Sequence, residues 1–340
     1  MIKVLIVDDS LVQQELLTYI LNSDPHIKVI GTAVDGEDAI RKVVQLKPDL
    51  VTMDINMPKM NGVEAIRSIM STHPLPIVVI SGSSTKTELS NSFQAIEAGA
   101  VWVIERTTFT PESMKSLLNT VKLMSEIKVV KRNARLHKSK GDTVLNNTSS
   151  IPRVNIIAIG ASMGGPVALQ NIFKNLNKEF PPVLVVQHIS AGFLQGLSDW
   201  LSQSANVTIK IAVHNDELKP NCIYFAPDAH QMGINSQNRI ALASENANNV
   251  HCPSVSYLFR SVAKHMGNQA VGILLTGMGR DGADGLKEMK DSGSMTIVQD
   301  EESSIVYGMP GEALALDAAN VILTPPEIAQ FINKLNIKKS

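Results

Sequence analysis

The chain has 340 residues, 44% hydrophobic and 19% charged, a globular composition long enough for two domains. Its 31 Lys+Arg against 32 Asp+Glu leave a formal net charge of −1, so bulk charge gives no case for nucleic-acid binding. No apolar run approaches the ~18 residues that span a bilayer, MIKVLIVDDS reads as a strand running into acids and not as a signal peptide, and two scattered cysteines, Cys222 and Cys252, read as reduced thiols of a cytoplasmic protein.

In chain order, short β-branched runs alternate with amphipathic stretches. Strands are predicted at 3–7 (KVLIV), 27–30 (IKVI), 50–53 (LVTM), 77–80 (IVVI) and 101–104 (VWVI), with helices near 11–22, 36–46, 62–71, 85–98 and 111–126. Five such units make a compact (βα)5 domain over residues 1–126 around a parallel sheet. Residues 127–152 are basic and then polar; they read as a linker, with docking of an acidic partner as the other reading. A second, larger α/β domain is predicted over 153–340, doubly wound. Its strands fall near 156–159, 183–186, 209–212, 222–225, 271–275 and 295–298, and its helices near 165–176, 193–204, 254–266, 282–291 and 326–335.

In an open parallel sheet the carboxyl ends of the strands line the functional crevice. The first domain puts acids there: Asp8 and Asp9 follow the first strand and Asp54 the third. Three carboxylates at one sheet edge repel unless a cation joins them. An oxygen-liganded Mg²⁺ fits, with the Asn56 backbone carbonyl as a further ligand. Asp54 can then attack a phosphoryl group whose charge the metal offsets. Ser81 ends the fourth strand, where its hydroxyl can bond a phosphoryl oxygen, and Arg106 lies past the fifth, where it can offset charge. Solvated capping acids and a metal site without phosphotransfer are the competing readings.

The second domain carries IIAIGASMGGP, a strand, a glycine, Ser162 and two more glycines before a helix. Glycines permit a sharp turn that presents Ser162 Oγ beside backbone N–H groups and a helix N-terminus. VLVVQHI places His188 at a strand end as a candidate general base. In VGILLTGMGRDGADG, Asp281 can orient His188 and the Met278 amide is a candidate oxyanion donor. A plain turn or phosphate loop, a loop histidine and a turn aspartate are the bland readings of the three taken singly. There is no G-x-x-x-x-G-K-[ST] and no HExxH. The order Ser…His…Asp is not that of α/β-hydrolases, which argues for a different fold.

VLIVDDS, MDINMPKMNGVEAIR and VVISGSS resemble the response-regulator receiver family. The resemblance implies a receiver-type fold with Asp54 as phosphoacceptor, Mg²⁺ held by Asp9 and Asp54 with help from Asp8, Ser81 as the switch hydroxyl and a sensor histidine kinase as phosphodonor. Arg106 and Thr107 stand where that family usually has Lys and Pro, and Trp102 where related sequences often carry Asp. IAIGASMGGP, VVQHISAGF, FAPDAHQM, HCPSVSYLF, LLTGMGRDGADGL and YGMPGEAL resemble the effector domain of chemotaxis protein-glutamate methylesterases. Together the two resemblances cover nearly the whole chain. They imply a phosphorylation-regulated serine hydrolase with Ser162 as nucleophile, His188 as base, Asp281 as acid and Met278 at the oxyanion. Its expected substrates are glutamate methyl esters and certain glutamines on the cytoplasmic part of methyl-accepting chemoreceptors, approached from solution without membrane insertion. The unphosphorylated receiver is expected to block the cleft. Arg280 replaces a frequent Asn and Ser256 a usual Asp, both expected at the active-site rim. A non-enzymatic receiver–scaffold and a related hydrolase acting on another protein ester or amide stand as alternatives. A transcription regulator needs a basic recognition helix, which 153–340 does not supply.

Overall fold

The structure is a computed structural model that describes residues 1–81, 86–105, 110–127, 153–177, 179–244 and 251–335. It divides into two compact units, Met1–Arg135 and Leu136–Ser340. Most of the predicted linker, like Arg106 and Thr107, lies outside the described residues.

The first unit holds strands β1 (Ile2–Val7), β2 (Ile27–Ala33), β3 (Leu50–Met53), β4 (Ile77–Ser81) and β5 (Trp102–Glu105). They form one parallel sheet in the order β2-β1-β3-β4-β5. Helices α1 (Leu11–Asn22), α2 (Gly36–Leu46), α3 (Gly62–Thr72), α4 (Lys86–Ala98) and α5 (Pro111–Ser125) alternate with them. β3 and β4 are buried along their whole length, as in a parallel sheet covered on both faces. Helix starts are set by side chains: Ser10, Asp35, Asn61 and Thr110 each accept a backbone N–H of the turn that follows, which satisfies donors the helix leaves unpaired. The chain runs from β1 outward to β2 and returns on the other side as β3. The carboxyl ends of β1 and β3 therefore flank the topological switch point, where a crevice opens.

The second unit holds β6 (Ile156–Ala161), β7 (Val183–Gln187), β8 (Thr208–Ile211), β9 (Cys222–Phe225), β10 (His230–Ile234), β11 (Ile240–Ser244), β12 (Ala270–Leu274), β13 (Met295–Gln299) and β14 (Val321–Leu323). Its helices are α6 (Gly165–Phe173), α7 (Leu194–Ser204), α8 (Val255–Met266), α9 (Ala283–Asp291), α10 (Met309–Ala315) and α11 (Pro325–Asn333). Seven strands form a parallel sheet in the order β14-β13-β12-β6-β7-β9-β8. β6 is buried throughout and has β7 on one flank and β12 on the other, so the switch point lies at its carboxyl end.

The antiparallel hairpin β10–β11 is additional to the expected doubly wound sheet. Its period-2 signal is weak because β10 is five residues long and carries only two large apolar side chains, Met232 and Ile234. Tertiary packing holds it: Met232, Ile234 and Ile240 join the core that contains Leu258, Phe259 and Val262 of α8. β14 and α10 also carried no prediction, being three and seven residues long, too short for periodicity to speak.

Candidate active site and acidic cluster

β6 and β7 pair in register as far as Ala161↔Gln187. The next residue of each, Ser162 and His188, therefore leaves the sheet on adjacent strands, ~4.8 Å being the usual spacing. The His188 N–H donates to the Ala161 carbonyl at 2.9 Å. Ser162 is buried and enters a turn that Gly164 completes at φ 77, a conformation that glycine adopts without strain. The loop after β12 closes over this turn. The Ser162 N–H donates to the Thr276 carbonyl at 3.1 Å. A Cβ on Gly277 would stand 2.7 Å from Ser162 Cβ, so only glycine lets this backbone come so near. Beside it, the Met278 N–H donates to no protein acceptor among the described residues, and neither does the Met163 N–H that follows Ser162.

Asp281 reaches the site from the same loop. His188 Nε2 lies 3.0 Å from its Oδ2. Asp281 also accepts hydrogen bonds from the Val255 N–H at 2.8 Å, the Ser254 hydroxyl at 2.9 Å and the Ser256 N–H at 3.0 Å. Burial works to raise its pKa, but the hydrogen bonds from His188, Ser256 and Val255 prevail and hold the carboxyl well below the usual carboxylate range. An ionised carboxylate only accepts, so His188 presents its Nε2–H to Asp281, and Nδ1 is the ring nitrogen turned away from the acid. The ring of His251 stacks on His188, with centroids 4.9 Å apart and planes at 22°. Burial and the neighbouring His188 lower the pKa of His251, which favours a neutral ring.

One buried side chain organises this wall, and sequence reasoning missed it. Gln231 of β10 is 0% exposed. Its Nε2 donates to the His251 carbonyl at 2.7 Å, and its Oε1 accepts the Ser254 N–H at 2.8 Å. It thus pins the segment that supplies both the stacked ring and the donors to Asp281. Gln231 lies in the FAPDAHQM block, but a polar residue in an unrecognised strand gives no sign of which distant groups it bonds. Ser256 is half-buried beside the site. Its hydroxyl accepts the Gly282 N–H at 2.8 Å, so it belongs to the mount of Asp281. Arg280 is exposed and pairs with Asp284 at 3.2 Å.

In the first unit, carboxylate oxygens of Asp8, Asp9 and Asp54 all lie within 4.8 Å of one another. Asp8 and Asp54 are buried and Asp9 is exposed. The Asp54 N–H donates to the Val7 carbonyl at 2.8 Å, which ties the end of β3 to the end of β1. Asp54 Oδ1 accepts the Ile55 N–H at 2.7 Å, and Asp8 Oδ1 the Ser10 N–H at 2.9 Å. Ser81 is buried at the end of β4, and Asn56 is exposed two residues beyond Asp54. Three oxygen donors converging with one side open to solvent suit a small hard cation such as Mg²⁺.

A three-carboxylate crevice on one parallel sheet and a Ser–His–Asp grouping at the switch point of another define a response regulator whose effector is an α/β enzyme. A response regulator receiver domain model matches residues 4–121, and a CheB methylesterase model matches residues 157–332. "Protein-glutamate methylesterase/protein-glutamine glutaminase 1" of Syntrophus aciditrophicus is 46% identical over 344 aligned residues, 98% of each chain. The corresponding protein 4 of Geobacter metallireducens is 46% identical over 347 aligned residues, 100% of each chain. The crystal structure of the Thermotoga maritima CheB methylesterase catalytic domain matches with a TM-score of 0.52 at 32% identity, over 54% of this chain and 99% of that one. The chain belongs to the CheB methylesterase family, with a receiver domain ahead of the methylesterase domain.

Proposed function

We propose that this chain removes methyl esters from glutamate side chains of chemoreceptors, and deamidates receptor glutamines, by serine hydrolysis under the control of Asp54 phosphorylation. One observation carries the reading: His188, side by side with Ser162 at paired strand ends, has its Nε2 held at 3.0 Å by Asp281. Ser162 Oγ attacks the ester carbonyl and His188 Nδ1 takes its proton. The N–H groups of Met278 and Met163 bind the oxyanion. His188 returns the proton to the leaving methanol. Water, activated by the same imidazole, then releases glutamate. Attack on a glutamine amide follows the same course and releases ammonia. Asp281 keeps the ring in one tautomer and stabilises the imidazolium.

In the receiver, Asp8, Asp9 and Asp54, with the Asn56 carbonyl, would hold Mg²⁺, which when bound offsets charge on the transferred phosphoryl oxygens. Asp54 takes the phosphoryl group from a sensor histidine kinase, Ser81 bonds one of its oxygens, and Arg106 supplies the counter-charge. The partners are the cytoplasmic parts of methyl-accepting chemoreceptors, met from the cytoplasm. Among the described residues no helix is long and apolar enough to cross a membrane. Methanol release from methylated receptor membranes tests the proposal. The wild-type chain should release it and Ser162→Ala should not; equal release by purified S162A would sink the reading.

A further inference from the structure

We infer that Gln187 is a positioning residue of the hydrolase: its side-chain amide holds the turn of the nucleophile to the strand end of the base. The inference rests on the proposed reading of Ser162 and His188. Gln187 is the last residue of β7 and is only 4% exposed. Its Nε2 donates to the Ser162 carbonyl at 2.7 Å and to the His188 carbonyl at 2.8 Å. Both hydrogens of the amide are thus spent on the main chain of the two reacting residues. The orientation of the amide follows from chemistry: turned over, Oε1 would face two carbonyl oxygens.

The remaining atom makes this more than routine saturation of polar groups. Gln187 Oε1 is buried without a hydrogen-bond partner, one of two such side-chain atoms among the described residues. An unpaired buried acceptor is unfavourable, and where one persists it calls for a compensating role. It rests against the first turn of α6, where a Cβ on Gly165 would stand 2.1 Å from it. The positive end of the helix offsets its partial charge. The second glycine of SMGG is thereby explained as clearance for the Gln187 amide. The amide touches no reacting atom. It acts by keeping the Ser162 turn and the His188 main chain in one relative position, and small misplacements of reacting groups carry large rate penalties.

The test uses the full chain with Gln187→Leu, which keeps the bulk without the donors, and Gln187→Glu, which keeps the shape but faces two carbonyls with an acceptor. kcat and KM for methanol release are measured alongside the rate at which a fluorophosphonate probe labels Ser162. Leu201→Ala, in the buried face of α7, serves as a destabilised control compared by melting temperature. Both Gln187 variants are expected to lose at least about ten-fold in kcat and in labelling rate, with KM within about two-fold of wild type. Leu201→Ala is expected to keep both rates. Rates unchanged in a folded Gln187 variant, an equal loss in the control, or failure of both variants to fold would overturn the inference. Labelling needs no methyl ester. A wild-type chain that labels but releases no methanol would therefore count against the receptor reading alone.

Discussion

Asp281 joins the chemistry of the second unit to its stability. Asp281→Asn replaces an acceptor of four hydrogen bonds with a group that can offer its NH₂ to His188 and so favour the wrong tautomer. Turnover in a methanol-release assay is expected to fall on the order of 10⁴-fold. The same residue predicts a pH dependence. Its pKa is depressed in the folded chain, so on acidification the unfolded chain binds the proton first. Its contribution to stability is therefore full above the ordinary carboxylate range. It drains as the pH falls through that range toward the depressed folded value. Melting temperature followed from about pH 5 down to about pH 2 should drop less steeply in D281N than in wild type. Equal slopes would mean that Asp281 is not the group titrating.

At the scale of elements, the candidate active site is a meeting of loops, each held by a neighbour distant in sequence. Ser254 caps α8 by accepting the Tyr257 N–H and donates to Asp281. Ser254→Ala should cost about 1 kcal/mol for the cap. In a unit of this size that lowers the melting temperature by about 2–4 °C, a loss Ser254→Thr should largely restore. Gly277 makes the opposite demand, for space. A methyl there meets Met309 Sδ at 2.2 Å and Ser162 Cβ at 2.7 Å. Gly277→Ala is expected to displace the Ser162 turn and lower kcat by more than about ten-fold, measured at a temperature where circular dichroism shows a folded chain.

For the whole molecule, the proposed control by Asp54 phosphorylation makes a direct prediction. With a small-molecule phosphodonor and Mg²⁺, methanol release by the wild-type chain should accelerate, and Asp54→Asn should not respond. A chelator should abolish the acceleration and leave basal hydrolysis intact, because the hydrolytic steps proposed for Ser162 and His188 use no metal. Loss of basal hydrolysis on chelation would contradict that division of labour.

Much of this was legible in the sequence because it depends on local order. Acids, a hydroxyl and the serine stand directly after buried β-branched runs, and a parallel sheet gathers strand ends at one edge whatever lies between them. Asp8, Asp9, Asp54, Ser81, Ser162 and His188 could therefore be placed from spacing alone. The family blocks then named the chemistry. What depends on partners far apart in the chain was not legible. The hairpin exists because α8 covers it, Gln231 matters because it reaches His251 and Ser254, and Ser256 turned out to brace Asp281. The acidic crevice of the first unit was thus determined by sequence, since neighbouring strands deliver its carboxylates. Which nitrogen of His188 faces Asp281, and which buried amides hold the segments of Ser162, His188 and Asp281 in place, only the tertiary structure decided, because hydrogen-bond geometry is set by folding and not by spacing.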